Sequence, residues 1–257
     1  MKKLIRLAST TLATVVLLHG QGTLPYPTEE YFGGGIGYTP MFLSLDLAKA
    51  FPFNAVNSAV SSTDLLGASG LGFSDDEISA LGNLMVIHGA EGFGNITGHW
   101  RIGAYVGLGV QSISKIDSAT SYRTDLQLSL ATGNSSIELV APIFSSLEIS
   151  MGALFGMSRA VIQFGTSFGE PDWAKQFSDS DSTSHSVALS GTFFSFQPYI
   201  AMKLQFLNRV GLRMTAGYHI GKLAANKWKL NDAKSIISPS EGNFNAPAVR
   251  MMLYIGI

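Results

Sequence analysis

Three segments of this chain alternate in chemistry with a period of two, and that alternation restricts the fold more than any other feature. In residues 100–110, Trp100, Ile102, Ala104, Val106, Leu108 and Val110 share one parity, while Arg101, Gly103, Tyr105, Gly107 and Gly109 share the other. Residues 210–221 repeat the split, with Val210, Leu212, Met214, Ala216, Tyr218 and Ile220 against Gly211, Arg213, Thr215, Gly217, His219 and Gly221. The chain closes on a third copy, in which Val249, Met251, Leu253, Ile255 and Ile257 oppose Arg250, Met252, Tyr254 and Gly256. Successive side chains of a strand point to opposite faces, so each segment reads as a strand with one apolar face and one glycine-rich polar face. Less regular copies at 31–45, 84–96, 119–143, 147–158 and 194–206 bring the count to eight.

The connections sort by length. Residues 95–98, 144–146 and 207–209 are tight, whereas 46–83, 112–118, 166–183 and 222–245 are longer and more polar. In an up-and-down order all tight turns fall at one end, together with both termini, and all long loops at the other. Outer-membrane barrels show that asymmetry, with short periplasmic turns and long extracellular loops. Within the first long loop, Ser74 and Glu77 stand as a capping box ahead of Ile78, Leu81 and Leu84, so a short helix is expected there.

Composition narrows the choice. Only 14% of the residues are charged, against about 25% in ordinary soluble domains. Beyond residue 20 no apolar run approaches the ~20 residues of a membrane helix, which excludes a helical membrane protein. The absence of Cys excludes disulfides, thiolate metal sites and a Cys nucleophile. A net charge of −1 provides no electrostatic basis for a nucleic-acid partner. Residues 1–22, with Lys2, Lys3 and Arg6 ahead of an apolar stretch at 7–18, read as a secretory signal peptide, leaving 23–257 as one domain.

A continuously apolar face must be buried against a partner sheet or in lipid, and in lipid only a closed barrel leaves no unpaired edge. A sandwich would carry a well-charged exterior, whereas here the polar faces are poor in charge and the charges balance. The expected fold is therefore all-β, a single closed antiparallel transmembrane barrel of about eight strands. Its interior polar network is expected to comprise Arg101, Tyr105, Asp125, Glu138, Glu148, Lys203, Arg213, His219 and Arg250, filling a lumen too narrow for a pore. In the 119–143 segment the apolar residues Leu126, Leu128 and Leu130 are assigned outward, with Asp125, Gln127 and Ser129 inward, so that parity must switch before Ile137. A turn at Thr132-Gly133-Asn134, together with a break at Pro198, would raise the count to ten strands. Arg159 falls on the apolar parity, where a charge at mid-bilayer costs about 2–4 kcal/mol; it is expected near the rim or after a bulge.

The three alternations at 100–110, 210–221 and 247–257 resemble those of the small outer-membrane barrel class typified by the transmembrane domain of outer-membrane protein A. The last strand, APAVRMMLYIGI, looks like the signal such proteins present to the barrel-assembly machinery, with Ile257 where the class most often ends in Phe. The resemblance implies a place in the bacterial outer membrane, with lipid and the assembly machinery as partners.

Other motifs read as structural. His88 and Glu91, with His99 nearby, would be drawn to opposite faces of a strand rather than to one metal ion. His185 with Asp179 and Asp181 lies in a Ser-rich loop that reads as solvated and not as a hydrolase site. The glycine run at 33–37 lacks the ending of a phosphate loop. Asp75-Asp76-Glu77 is helix-start chemistry without calcium-ligand spacing. Trp100, Phe206, Tyr218 and Trp228 suit interfacial girdles, and Trp173 is placed at a recognition surface. No enzyme activity, cofactor or metal is expected. The leading function is structural or surface interaction, with loops 46–83, 166–183 and 222–245 available to an extracellular ligand or partner. The alternatives are a secreted or periplasmic barrel holding a small apolar ligand, and a narrow ten-stranded channel.

Overall fold

The computed structural model describes residues 34–45, 84–96, 99–117, 122–144, 147–168, 184–207, 209–235 and 241–256. The signal peptide expected at 1–22, the short helix expected after Ser74, and Trp173 lie outside the described residues, as do most of loops 46–83 and 166–183. The strands are β1 (Gly35–Tyr38), β2 (Met41–Leu43), β3 (Met85–Asn95), β4 (Trp100–Asp117), β5 (Tyr122–Phe144) and β6 (Leu147–Phe168). They continue with β7 (Ser184–Leu207), β8 (Val210–Leu223), the short β9 (Lys229–Leu230), β10 (Lys234–Ser235) and β11 (Gly242–Asn243), and β12 (Ala246–Gly256).

All pairings are antiparallel, and they close on themselves. Strands β3 to β8 pair in chain order, β8 pairs with β12, and β12 pairs with β1 and β2, which together return to β3. Because β1 and β2 are one ring position interrupted at Thr39-Pro40, the ring has eight positions. Strand β5 runs unbroken through Thr132-Gly133-Asn134, and β7 through Pro198. The ten-stranded alternative, and the narrow channel with it, are thereby set aside. Proline lacks an N–H, and the β7–β8 ladder skips from Phe196 to Tyr199 around it, while β7 keeps its pairing to β6 on the other edge.

The stagger of the ring fixes its geometry. From Gly109, the paired residues Ile87, Met41, Arg250, Thr215, Ala201, Ser150 and Val140 lead once round to His99, whose carbonyl accepts from Val140. The circuit returns to β4 ten residues from its start. For eight strands this stagger corresponds to a tilt of about 40°, so each residue climbs about 2.5 Å along the axis.

Those two values place every outward side chain by height. On β4 the outward apolar run extends from Trp100 to Val110 and ends at Ser112. At nearly the same height, runs on β5, β6 and β7 end at Ser129, Arg159 and Thr192. Those on β8, β12 and β2 end at Lys222, Asn245 and Ser44. On β3 the run Ala90, Val86 and Leu84 is interrupted by His88, and on β5 the outward run is interrupted by Ser135. The outcome is an apolar belt about 25 Å tall, the thickness a membrane barrel presents to lipid. Strands β4 to β7 continue past it as a polar-walled extension.

Candidate functional site

The ladder places the barrel's charged side chains by parity. Odd residues of β3, β4, β7 and β8, and even residues of β5, β6 and β12, point inward. In the lower half of the belt seven of them form one chain of alternating sign. Lys203 Nζ donates to Glu148 at 3.0 Å, and Arg101 reaches Glu148 at 2.6 Å and Glu138 at 3.7 Å. Arg213 donates to Glu138 at 2.5 Å and also to Glu91, which accepts from Arg250 at 2.9 Å. Glu138 accepts further bonds from Ser150 at 2.8 Å and Tyr199 at 2.9 Å. Buried charges are tolerable only when paired and hydrogen-bonded in this way.

Aromatic rings fill the space between the ions. The Arg250 guanidinium lies 4.8 Å from the Tyr199 ring centre and 5.5 Å from that of Tyr105, and Arg101 lies 4.7 Å from that of Phe93. Inward glycines admit these rings. A Cβ on Gly89 or Gly107 would stand 2.6 and 2.7 Å from the Tyr105 hydroxyl, too close for any larger residue.

Above this chain lies a neutral layer. Asn134 donates to Thr132 at 2.6 Å, Ser158 to Thr132 at 2.9 Å, and Ser195 to Asn134 at 2.8 Å. His219 is buried at the same level. Beyond the belt the interior turns apolar, with Leu126, Leu128, Leu130, Ile162, Phe193 and Leu223 packed in one cluster. The segment after β8 folds back into this cluster. Its Trp228 is 1% exposed, and Phe244 stacks on Phe193 at 4.6 Å.

Of the nine residues expected inside, Arg101, Tyr105, Glu138, Glu148, Lys203, Arg213, His219 and Arg250 stand in the barrel interior. Asp125 does not. It sits on the outer wall above the belt, bonded to Arg123 at 2.9 Å and to Ser114. Leu126, Leu128 and Leu130 are correspondingly inward. The parity of β5 never switches; its outward face changes from apolar within the belt to polar above it. Trp228 likewise leaves the expected girdle for the interior, whereas Trp100, Phe206 and Tyr218 remain exposed on the outer wall.

Glu91 is the network member that the alternation does not single out. Around it the strand reads Gly89-Ala90-Glu91-Gly92, with little apolar contrast, but its parity with Met85, Ile87 and Phe93 places it inward. His88 points the other way, and its Nδ1 hydrogen-bonds the Tyr38 hydroxyl at 2.5 Å, so His88 and Glu91 cannot share a metal ion.

Arg159 stands at the belt's upper edge, where both oxygens of Asp232 accept from its Nη2 at 2.6 Å. Asp232 belongs to the β9–β10 hairpin, which pairs with β7 through Leu189–Leu230 and Ser190–Lys229. Its neighbour Asn231 donates through its N–H to the Ala188 carbonyl at 2.7 Å and accepts from the Ala188 N–H at 2.9 Å. The Ser190 hydroxyl donates to Asp232 and, with Arg159 beside it, holds that carboxyl below the usual range.

These features define a small closed β-barrel with an ion-filled lumen and an apolar outer wall. No family model matches the chain, and no characterised protein matches it by sequence. Similar solved structures include Ail, the attachment invasion locus protein of Yersinia pestis, at 11% identity and TM-score 0.35, covering 87% of this chain and 94% of that one. Acinetobacter baumannii CarO2 is similar at 9% identity and TM-score 0.35, with coverage of 88% and 100%. A major outer membrane protein of Thermus thermophilus gives 6% and 0.35, with coverage of 85% and 98%. Likeness at this level carries no argument here, and the functional reading rests on the chain itself.

Proposed function

We propose that this protein is a bacterial outer-membrane β-barrel of structural or surface-interaction type, exported through residues 1–22 and assembled by the barrel-assembly machinery. One observation carries the reading: the outward face is apolar over about 25 Å, and on seven of the eight ring positions it ends at a polar residue of nearly equal height. Lipid is the medium that suits such a belt. A soluble ligand-binding barrel would expose Val106, Leu108, Phe155, Phe194, Ile200 and Leu253 to water over its whole girth.

A structural role for the lumen is supported by its carboxylates, since Glu91, Glu138 and Glu148 are each held between two cations. Surface interaction falls to the polar extension of β4 to β7 and to loops 46–83 and 166–183. Within 222–235 and 241–245, Trp228 and Phe244 turn inward over the apolar cluster, while Lys222, Lys227 and Lys229 stay exposed. The test is expression with its own leader in a Gram-negative host, followed by urea washing of the outer membranes and gel migration with and without boiling. Retention after washing and a boiling-dependent shift are expected. A soluble band that does not shift would overturn the membrane reading.

A further inference from the structure

The edge of the apolar belt is not chemically uniform. Around most of the ring it ends in neutral residues, namely Ser112, Ser129, Asn245 and Ser44. On β6 and β8 it ends in cations, Arg159 and Lys222, which stand within about 2 Å of the same height by the strand tilt and rise. Between them β7 offers Thr192, the cross-strand partner of Arg159. One pleat higher, Lys229 shares the outward face through its pairing with Ser190. Lys227 is exposed beside it.

Among the described residues, two carboxylates face this group. Asp232 holds Arg159, and Glu241 accepts from Lys222 at 2.5 Å. Among the described residues, four cations against two carboxylates leave a surplus of two positive charges. Both carboxylates are carried by the loop and not by the barrel wall, and both ion pairs are largely solvent-exposed. Such pairs hold weakly and exchange partners readily. Arg159 reaches Asp232 through Nη2 alone, which leaves its Nη1 and Nε turned to other acceptors.

Resting on the membrane reading above, we propose that this β6–β8 sector binds the phosphate of an outer-leaflet lipid headgroup, bracketed by Arg159 and Lys222 beneath Lys229. The two brackets stand two strands apart, about 10 Å, a span that a long guanidinium arm and an ammonium arm close around one phosphate. Height selects lipid as the source, because the cations stand where the apolar belt stops and a headgroup begins. Arginine and lysine at a membrane surface each contribute about fivefold in affinity for anionic lipid.

The experiment uses the full chain in phosphatidylcholine nanodiscs doped with equal amounts of diphosphoryl lipid A and its dephosphorylated form. Insertion is read first, from boiling-dependent migration, and the lipids retained by the purified protein are then quantified. The wild type is expected to enrich the phosphorylated lipid. The double variant Arg159→Gln/Lys222→Gln should lose roughly fivefold of that enrichment per cation, while Asp232→Asn, which frees Arg159, should increase it. Equal retention of both lipids by an inserted wild type, or unchanged enrichment in the inserted double variant, would overturn the proposal. So would displacement of the lipid by an equal concentration of inorganic phosphate, which would make the site one for a free anion. A chain that does not insert overturns the membrane reading, and the proposal with it.

Discussion

The half of the barrel inside the belt and the half that projects above it are built from the same strands with opposite chemistry. Below, Glu138, Ser136 and Asn134 of β5 point inward while Ile137 and Leu139 point outward. Above, Leu130, Leu128 and Leu126 point inward while Ser129, Gln127 and Asp125 point outward. Backbone parity is constant along β5, so the inversion lies entirely in the choice of side chains. Water outside demands an apolar lumen, and lipid outside permits a polar one. The projecting part, four strands capped by the segment after β8, is thus organised like the wall of a water-soluble β protein set on the belted barrel, and the two parts are held by different forces: apolar burial above, paired charge below.

The difference between the two parts is largest at Glu91. Glu91→Gln leaves Arg213 and Arg250 without their shared carboxylate in a buried lumen, and breaking such a pair costs about 3–5 kcal/mol. Urea unfolding of the refolded protein in detergent micelles should show that loss. Asp125→Asn, on the exposed wall above the belt, should change stability by less than about 0.5 kcal/mol. Equal effects of the two would remove the distinction between interior and exterior carboxylates.

A cation placed outward on β5 tests the boundary itself. Ile137→Arg lies within the belt and should cost about 2–4 kcal/mol, whereas Gln127→Arg, on the same face of the same strand above it, should be close to neutral. The measurement is the urea midpoint of folding into vesicles. A neutral Ile137→Arg would mean that no lipid stands against this wall.

The lumen's packing is tested at Gly107. Its Cβ would stand 2.7 Å from the Tyr105 hydroxyl, which lies in the narrow space left by the glycines of β3 and β4. Gly107→Ala therefore overpacks a filled interior and should cost about 1–3 kcal/mol. Gly133→Ala, whose Cβ would have nothing within 4 Å, should cost far less in the same unfolding assay.

How much of this was legible in the sequence depends on the half considered. Within the belt the medium is uniform, so the alternations of β4, β8 and β12 translated directly into faces, and eight inward residues could be read by parity alone. In β5 the rule that apolar faces outward assigned Asp125 and Leu128 to the wrong sides, because the strand outruns the apolar belt. Its length was the available signal: 23 residues cannot all lie in a bilayer that ~9–11 residues cross. Glu91 was obscured by a strand so rich in glycine and alanine that neither parity stood out as apolar. Trp228 follows the end of β8 by only five positions, and sequence alone does not say that the chain turns inward there. The partner of Arg159 was equally hidden, since Asp232 is brought to it by a hairpin 73 residues away.

That hairpin provides the smallest and most local contrast between the halves. The Asp232 carboxyl is held below its ordinary value, first by the Ser190 hydroxyl and then by Arg159. A group whose pKa is lower in the folded state stabilises above its unfolded value and loses that contribution as pH falls through the folded one. The clamp should therefore survive as pH drops through the ordinary aspartate range near 4 and open only in more acidic solution. Hydrogen exchange at the Asn231 amide, which bonds the Ala188 carbonyl, reads the opening directly. In Asp232→Asn the exchange should be faster and should lose its acid transition, while amides of β4 and β8 within the belt should be unchanged. An acid transition that persists in Asp232→Asn would assign the opening to another carboxylate, with Glu241 on Lys222 the nearest candidate.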